Sequence, residues 1–485
     1  MPRSWTSSPD VHLGIDVAPG RGKRRALEQA LRDAIHAARL GPGTLLPSSR
    51  GLAADLGLSR GTVVEAYAQL QSEGYLVTRP GGSTAVAEAG PVPAESAHST
   101  QRRATEAPAP PGPSYRFDLR PGLLDLSRAF PRRQWMASVR SVLNQAPDAG
   151  FDYGDPRGRP ELRRALSRYL ARARGVVADP EQIVICLGFA HGLSLLTQAL
   201  GRTGRTTWAM EDPCLPAHPE IARRAGVDVV PLPVDGSGAR PSALAKLGAD
   251  VAVVTPAHQY PTGVTLQPER RAELLAWARA TDGVVVEDDY DGEFRYDRQP
   301  VGALQGLGPD HVVYAGTTSK TIAPGLRIGW LVLPARLLDP VVDLNRTALG
   351  GALPPALEQL ALTDFIERGS LDRHLRSLRA EFRRRRDRLV AALSKAAPDL
   401  HTTGVAAGLH VLIDLADSGL TERVVADAAA AEGVGVAVLG THWHGRTRTR
   451  RRPSQALVVG YARPTPPQFD NAVRALVRAL RSAPG

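Results

Sequence analysis

Within RRALEQALRDAIHAARL, residues 24–40, apolar side chains recur at Leu27, Leu31, Ala34, Ile35 and Ala38, the spacing of one helix face. A Gly-Pro-Gly turn ends that pattern. Two shorter helices are predicted next, over RGLAADL with Ser49 as its cap and over RGTVVEAYAQLQSEG with Ser59 as its cap, and Gly57 permits a sharp turn between them. YLVTR and TAVAE then read as a strand pair around a glycine-rich PGGS tip. The pattern changes further along the chain, where short β-branched runs alternate with helical stretches: QIVICLG, TTWAMED, VDVVPLPV, DVAVVTP, GVVVEDD, VVYAGTTS and IGWLVLP. Runs that are apolar on both faces and separated by helices predict a mainly parallel sheet covered on both sides. After residue 370, LDRHLRSLRAEFRRRRDRLVAAL predicts a long basic amphipathic helix, and the remainder reads as a smaller α/β subdomain.

Between these two regimes lies GPVPAESAHSTQRRATEAPAPPGPS, residues 90–114, rich in Pro, Ala and Ser and poor in large apolar side chains, which predicts a semi-extended tether. The chain of 485 residues therefore divides into a small head, residues 11–89, and a large α/β unit, residues 115–485. Its two cysteines, Cys186 and Cys214, make no disulfide framework, and neither a signal peptide nor an apolar run of membrane-spanning length is visible. A soluble cytoplasmic protein, with no metal, is the expectation. A net charge of +11 favours a polyanionic partner only weakly, because a GC-rich coding sequence also inflates arginine.

The ends of the β-branched runs carry the chemistry. Gly188, Asp212, Thr255, Asp288, Ser319 and Lys320 fall at or just past their carboxyl ends, where open α/β sheets bind ligands. A buried lysine such as Lys320 attacks a carbonyl when its amine is neutral and so forms a Schiff base. Thr317 and Ser319 offer donors to a phosphate, Arg327 a planar charged fork, and Gly188 opens a helix whose first N–H groups suit an anion. Asp288 can keep a pyridine nitrogen protonated, the feature that makes pyridoxal phosphate an electron sink, and Tyr290 can bond the ring hydroxyl. Each residue alone has an ordinary structural explanation. Their order on successive strands is much harder to obtain by chance.

In the head, the second helix of a helix-turn-helix enters the major groove with small polar and basic residues at its N-terminal end. Ser59, Arg60 and Thr62 stand there, and Val63, Val64, Tyr67 and Leu70 are expected to hold the helix on its neighbours. Arg50 can grip phosphate, and Arg79, Gly81 and Gly82 let the strand pair reach a groove. PGTLLPSSRGLAADLGLSRGTVVEAYAQLQSEGYL resembles the GntR-type winged helix-turn-helix, which implies that Arg50, Arg60 and Thr62 occupy DNA-contacting positions. Gly61 departs from the larger residue usual there.

YGDPRGRPELRRALSRYLARARGV, EDDYDGEFRY and GTTSKTIAPGLRIGW resemble the fold type I aminotransferase domain as it occurs in MocR-type regulators, covering nearly the full chain together with the head. The resemblance implies pyridoxal phosphate on Lys320, Asp288 at the pyridine nitrogen, Tyr290 at the ring hydroxyl, and Thr317, Ser319 and Arg327 on the phosphate. It also implies a head-to-tail homodimer bound to double-stranded DNA and answering to a small effector, either the cofactor itself or an amino compound. Several positions depart from enzymes of this fold. Tyr260 of HQYPTG, after His258 and Gln259, stands where they have asparagine, and Leu215 replaces a stacking aromatic. Phe189 and Ala190 replace a small polar pair, and Val458 stands where many transaminases hold a carboxylate-binding arginine, a role in effector binding for which Arg463 is the nearby substitute. Holding the substrate for proton transfer is what such an arginine secures, so these changes favour a sensor over an active aminotransferase with a DNA-binding appendage. The basic stretch GRTRTRRRPSQ, Gly445 to Gln455, reads as a solvated insertion more readily than as a contact surface.

Overall fold

The computed structural model describes residues 22–80, 82–88, 115–122, 124–296, 301–347, 354–445 and 455–483. Gly81, the tether at 90–114 and residues 446–454 of the basic stretch lie outside them. The chain forms two compact units, Met1–Pro113 and Ser114–Gly485.

In the small unit, helix α1 (Lys23–His36) is followed by α2 (Ser49–Leu56) and α3 (Arg60–Ser72), then by the antiparallel strands β1 (Leu76–Thr78) and β2 (Thr84–Val86). Leu27, Leu31, Leu52, Val63, Tyr67, Leu70, Leu76 and Val86 form one buried core. Three expectations are corrected. Helix α1 ends at His36, so Ala38, at φ 57°, belongs to the following turn and is exposed. The cap of α2 is Ser48, whose Oγ accepts from the Gly51 N–H at 3.1 Å, and Ser49 is the first helical residue. Val64 is 45% exposed and stands outside the core. Gly57 does supply the turn, at φ 64°.

The large unit begins with β3 (Phe117–Asp118), α4 (Leu126–Ala129), α5 (Arg132–Gln145) and α6 (Pro160–Arg174). Then come β4 (Ile183–Cys186), α7 (Phe189–Arg202), β5 (Thr207–Asp212), α8 (Ala217–Arg224), β6 (Asp228–Asp235), β7 (Gly238–Ala239), α9 (Leu244–Leu247), β8 (Val251–Val254), α10 (Pro268–Thr281), β9 (Val284–Asp288), β10 (Val312–Thr317) and β11 (Gly329–Val332). All seven β-branched runs thus become strands of one eight-stranded sheet, ordered β4-β11-β10-β9-β8-β5-β6-β7. β11 runs antiparallel to both neighbours and β7 to β6, while the pairs from β10 through β6 are parallel. The two-residue period of a strand puts Val284, Val286 and Asp288 on one face of β9, and the first two are buried in a core with Val184, Leu193 and Trp208. Asp288 is the next position on that face, at the strand's end. The order in which strands are added reverses at β5, with β6 and β7 laid on one side of it and β8 on the other, the kind of switch at which α/β proteins open a crevice.

The smaller subdomain follows the helices α11 (Ala335–Thr347), α12 (Ala356–Glu367) and α13 (Ser370–Ala396). Its strands are β12 (His401–Thr403), β13 (His410–Asp414), β14 (Val434–Gly435), β15 (Ala437–Val438) and β16 (Ala456–Gly460), and its helices α14 (Glu422–Ala431) and α15 (Pro466–Ser482). Four of the strands form an antiparallel sheet in the order β12-β13-β16-β15, and β14 pairs with β3.

Candidate cofactor site and nucleic-acid face

At the carboxyl ends of the central strands lies a pocket of about 330 Å³. Gly188, Tyr260, Asp288, Tyr290, Thr317, Ser319, Lys320 and Arg327, eight positions from four segments of the chain, all line it. Lys320 lies in the turn after β10, which Thr318 pins by donating from its N–H and its hydroxyl to Ile328 O, each at 3.0 Å. The Lys320 Nζ donates to Gly122 O at 2.6 Å. Burial lowers its pKa from the ordinary lysine value, against the opposing pull of Asp288 and Asp291, which enlarges the neutral fraction of the amine.

One end of the pocket is made for an anion. Gly188, at φ 95° and ψ 176°, caps α7 in a conformation suited to glycine. A Cβ there would lie 3.9 Å from both Arg327 Nη1 and Thr317 Oγ1, so the helix terminus, the guanidinium and the hydroxyl converge. Thr317 Oγ1 in turn bonds Ser319 Oγ at 2.9 Å. Among the described residues Arg327 has no ion-pair partner, and its backbone, at φ 52°, is left-handed.

Asp288 is buried, and its carboxylate accepts no hydrogen bond from the described residues. Burial raises its pKa well above the ordinary aspartate value, reinforced by Asp289, Asp291 and Glu211 and opposed by Lys320. A buried acid without a donor, a lysine with a depressed pKa and an unpaired arginine at a helix N-terminus are the groups pyridoxal phosphate needs at its ring nitrogen, aldehyde and phosphate, and these residues fit it. Tyr290 donates its hydroxyl to His258 O at 3.1 Å, beside the His258 Nδ1 that faces Asp291 at 2.9 Å. The Tyr260 hydroxyl lies 3.1 Å from His442 Nε2.

Arg463 is not among the pocket-lining residues. Its Nε lies 3.3 Å from Asp118, which explains why proximity to Val458 in sequence does not make it a clamp. Val458 itself is fully buried on β16, in an apolar cluster with Leu412, Leu439 and Ala456. Three titratable lining residues carry no motif in the sequence: Glu211, His218 and His410. Glu211 and His218 lie in the EDPCLPAH stretch already noted for Leu215, and the available signal was that this stretch spans the end of β5 and the start of α8.

In the small unit, Ser59 Oγ accepts from the Thr62 N–H at 3.1 Å and lies 2.8 Å from Thr62 Oγ1, fixing the start of α3. Tyr67 donates to Pro47 O at 2.9 Å and so ties α3 to the loop before α2. Arg50 and Arg60 are exposed, without an ion pair among the described residues, and Val64 stands one turn beyond Arg60. Arg79 instead lies 3.7 Å from Glu88, with its N–H closing the strand turn on Ser83 O at 2.8 Å.

Residues 123–476 match the aminotransferase class I and II family, and residues 23–86 the gntR family of bacterial regulatory proteins. Three curated relatives have the same extent. The chain is 33% identical to the uncharacterized HTH-type transcriptional regulator YhdI of Bacillus subtilis, over 92% of this chain and 94% of that one. It is 33% identical to the pyridoxine biosynthesis transcriptional regulator PdxR of Corynebacterium glutamicum, over 86% and 88%, and 32% identical to the probable rhizopine catabolism regulatory protein MocR of Rhizobium meliloti, over 95% and 93%. The chain belongs to the HTH-type transcriptional regulators that carry an aminotransferase-like domain. Among solved structures, an archaeal alanine:glyoxylate aminotransferase superposes with a TM-score of 0.67 at 25% identity, covering 76% of this regulator and 91% of that chain. The regulator thus keeps the fold of an enzyme body behind a DNA-binding head. No helix among its described residues is long and apolar enough to cross a membrane.

Proposed function

We propose that this regulator holds pyridoxal phosphate in the large unit and that the cofactor itself is the signal that alters DNA binding by the head. The observation that carries the reading is the meeting of Lys320, Asp288 and Arg327 in one pocket whose clamp position, Val458, is sealed in an apolar cluster. When bound, pyridoxal phosphate supplies an aldehyde carbon and an electron-withdrawing ring. Lys320 would hold its aldehyde end, Asp288 would keep the ring nitrogen protonated, and Arg327, Thr317, Ser319 and the N-terminus of α7 would hold the phosphate. Tyr290 and Tyr260 border the ring hydroxyl. The relative named for pyridoxine biosynthesis supports a signal of this class.

The head reads double-stranded DNA with Arg60, Thr62 and Ser59 in the major groove, Arg50 on phosphate, and Arg79 at the end of the strand pair. Self-association as a head-to-tail homodimer would set two heads on spaced half-sites. Apolar side chains exposed on the large unit support it, namely Met136 and Leu143 seven residues apart on α5, with Phe151 and Tyr153 beyond. Such a protein works in the cytoplasm, on the nucleoid. For the ligand to regulate, it must bind one arrangement of the dimer better than another.

Footprinting on genomic DNA with and without pyridoxal phosphate tests the proposal. A footprint that appears, disappears or changes half-site spacing with the cofactor supports it. A footprint indifferent to the cofactor but shifted by one amine replaces the signal with that amine, and sustained keto-acid formation from an amino donor makes the body an enzyme.

A further inference from the structure

The position from which an aromatic would cover the cofactor ring is occupied by Leu215, whose side chain cannot stack and is 39% exposed at the pocket edge. Two rings that no enzyme-like pattern assigns stand on the same pocket wall. Phe189 opens α7 directly after Gly188, and His218 lies in the first turn of α8. Their ring centroids are 4.7 Å apart with planes inclined at 54°, a tilted aromatic pair. Both rings and Lys320 line the same space. The pair is rigidly mounted, because α8 buries Ala222 in the core that also holds Leu193 and Leu196 of α7. Neither His218 ring nitrogen has a hydrogen-bond partner among the described residues. Burial, assisted by the charge of Lys320, pushes its pKa down to about 4, so the imidazole is neutral at physiological pH and offers a π face rather than a charge.

We propose that Phe189 and His218 together form the ring wall against which the pyridine ring of pyridoxal phosphate packs, taking over from the aromatic missing at Leu215. Two substitutions that look like losses in sequence, Phe189 for a small polar residue and Leu215 for an aromatic, then become one exchange: the stacking surface has moved from the loop after β5 to the starts of α7 and α8. The inference rests on the cofactor reading and adds a contact specific to this chain.

The test titrates the full-length protein with pyridoxal phosphate and follows the visible absorption and induced circular dichroism of the lysine-bound cofactor. Phe189→Ala and His218→Ala are each expected to weaken binding about 3- to 10-fold and to change the dichroism, the range set by aromatic pair energies. His218→Phe, which keeps a ring, should bind within about twofold of wild type, since the same pair energy is retained. Leu215→Tyr should rescue His218→Ala by returning a ring to the original position, a result that a merely packing role for His218 would not produce. Unchanged affinity in both alanine variants, or a His218→Phe protein as weak as His218→Ala, overturns the ring wall while leaving the cofactor reading intact. A wild-type protein with no lysine-dependent band overturns the cofactor reading and this inference together.

Discussion

Among the described residues, the side chains at one end of the pocket bond only one another: beside the N-terminus of α7 behind Gly188 stand the hydroxyls of Thr317 and Ser319, bonded to each other, and Arg327 with no ion pair. At the position where a transaminase would grip its substrate they are closed off, with Val458 inside an apolar cluster and Arg463 committed to Asp118. Arg327 is exposed, so water serves its guanidinium until an anion replaces it, whereas a valine in a core needs no ligand at all. The contrast therefore separates two capacities that an enzyme combines. On the proposed reading the groups for cofactor capture are kept, and neither Val458 nor Arg463 offers a free cation to an amino acid's carboxylate.

The sharpest way to break this contrast is at Lys320, which lines the pocket together with the anion end. Lys320→Ala should abolish covalent labelling by pyridoxal phosphate and borohydride, read by intact mass, and labelling that persists on another lysine would remove the anion end from the argument. Arg327→Ala is expected to weaken cofactor binding about 10- to 100-fold, the range of a charged hydrogen-bonded contact of roughly 1.5–3 kcal/mol. Arg327→Lys should recover only part of that, because an ammonium lacks the planar fork. Equal binding by all three proteins in an absorption titration would show that the phosphate lies elsewhere.

The anion end was legible in the sequence because each of its residues follows a β-branched run, and strands apolar on both faces are the least ambiguous elements in a parallel sheet. The closed region was legible only in part. Val458 is visible as a substitution, but that Arg463 pairs with Asp118 depends on bringing the segment after β3 beside the end of β16, where the Gly460 N–H donates to Leu119 O, a contact between distant segments that spacing does not encode. The same limit separates Ser48 from Ser49 as the cap of α2. Two adjacent serines satisfy the same local rule, and only the 3.1 Å reach to the Gly51 N–H decides between them. Val63 and Val64 are both apolar, yet the buried stripe of α3 runs through Val63, Ala66, Tyr67 and Leu70, and Val64 lies off it. His218 was passed over for a different reason: nothing periodic marks it, and its significance depends on Phe189, a partner on another helix.

The head repeats the contrast between free and committed arginines, and the next prediction uses it. Arg60, exposed at the start of α3, should cost about tenfold in operator affinity when changed to alanine and relax the preference at one base pair, as expected for a base-edge contact of roughly 1–3 kcal/mol. Arg50→Ala should weaken all sequences alike and reduce the salt dependence by about one counterion. Binding curves at several salt concentrations distinguish the two, and a uniform loss for Arg60→Ala would move it off the bases.

A smaller effect is expected at Glu211, a buried pocket carboxyl whose pKa burial raises from its ordinary 4.5 to about 7, despite hydrogen bonds from Thr255 and Gln259. The unfolded chain releases this proton near 4.5 and the folded chain holds it to about 7, so the folded state binds more protons in that window and stability falls as pH rises through it. Glu287 and Glu293 are raised in the same direction, so Glu211→Gln should remove part of the slope of melting temperature against pH between those values. A slope as steep as that of wild type would mean that the Glu211 carboxyl is already ionised in the folded chain.

The smallest expected effect is the most discriminating for the contrast itself. Arg463 is 43% exposed at its side chain and its Nε lies 3.3 Å from Asp118. The same carboxylate also accepts from Arg120 Nε at 2.9 Å and Nη2 at 2.7 Å. Asp118 therefore keeps a two-pronged partner when Arg463 is removed, and an exposed ion pair contributes at most about 1 kcal/mol. Arg463→Ala should leave stability, cofactor affinity and the response of DNA binding to pyridoxal phosphate within about twofold of wild type, the scale of an exposed pair. If the variant instead loses a response to an amino acid that the wild type shows, Arg463 must leave Asp118 to meet a carboxylate. The region around Val458 would then be open to substrate after all.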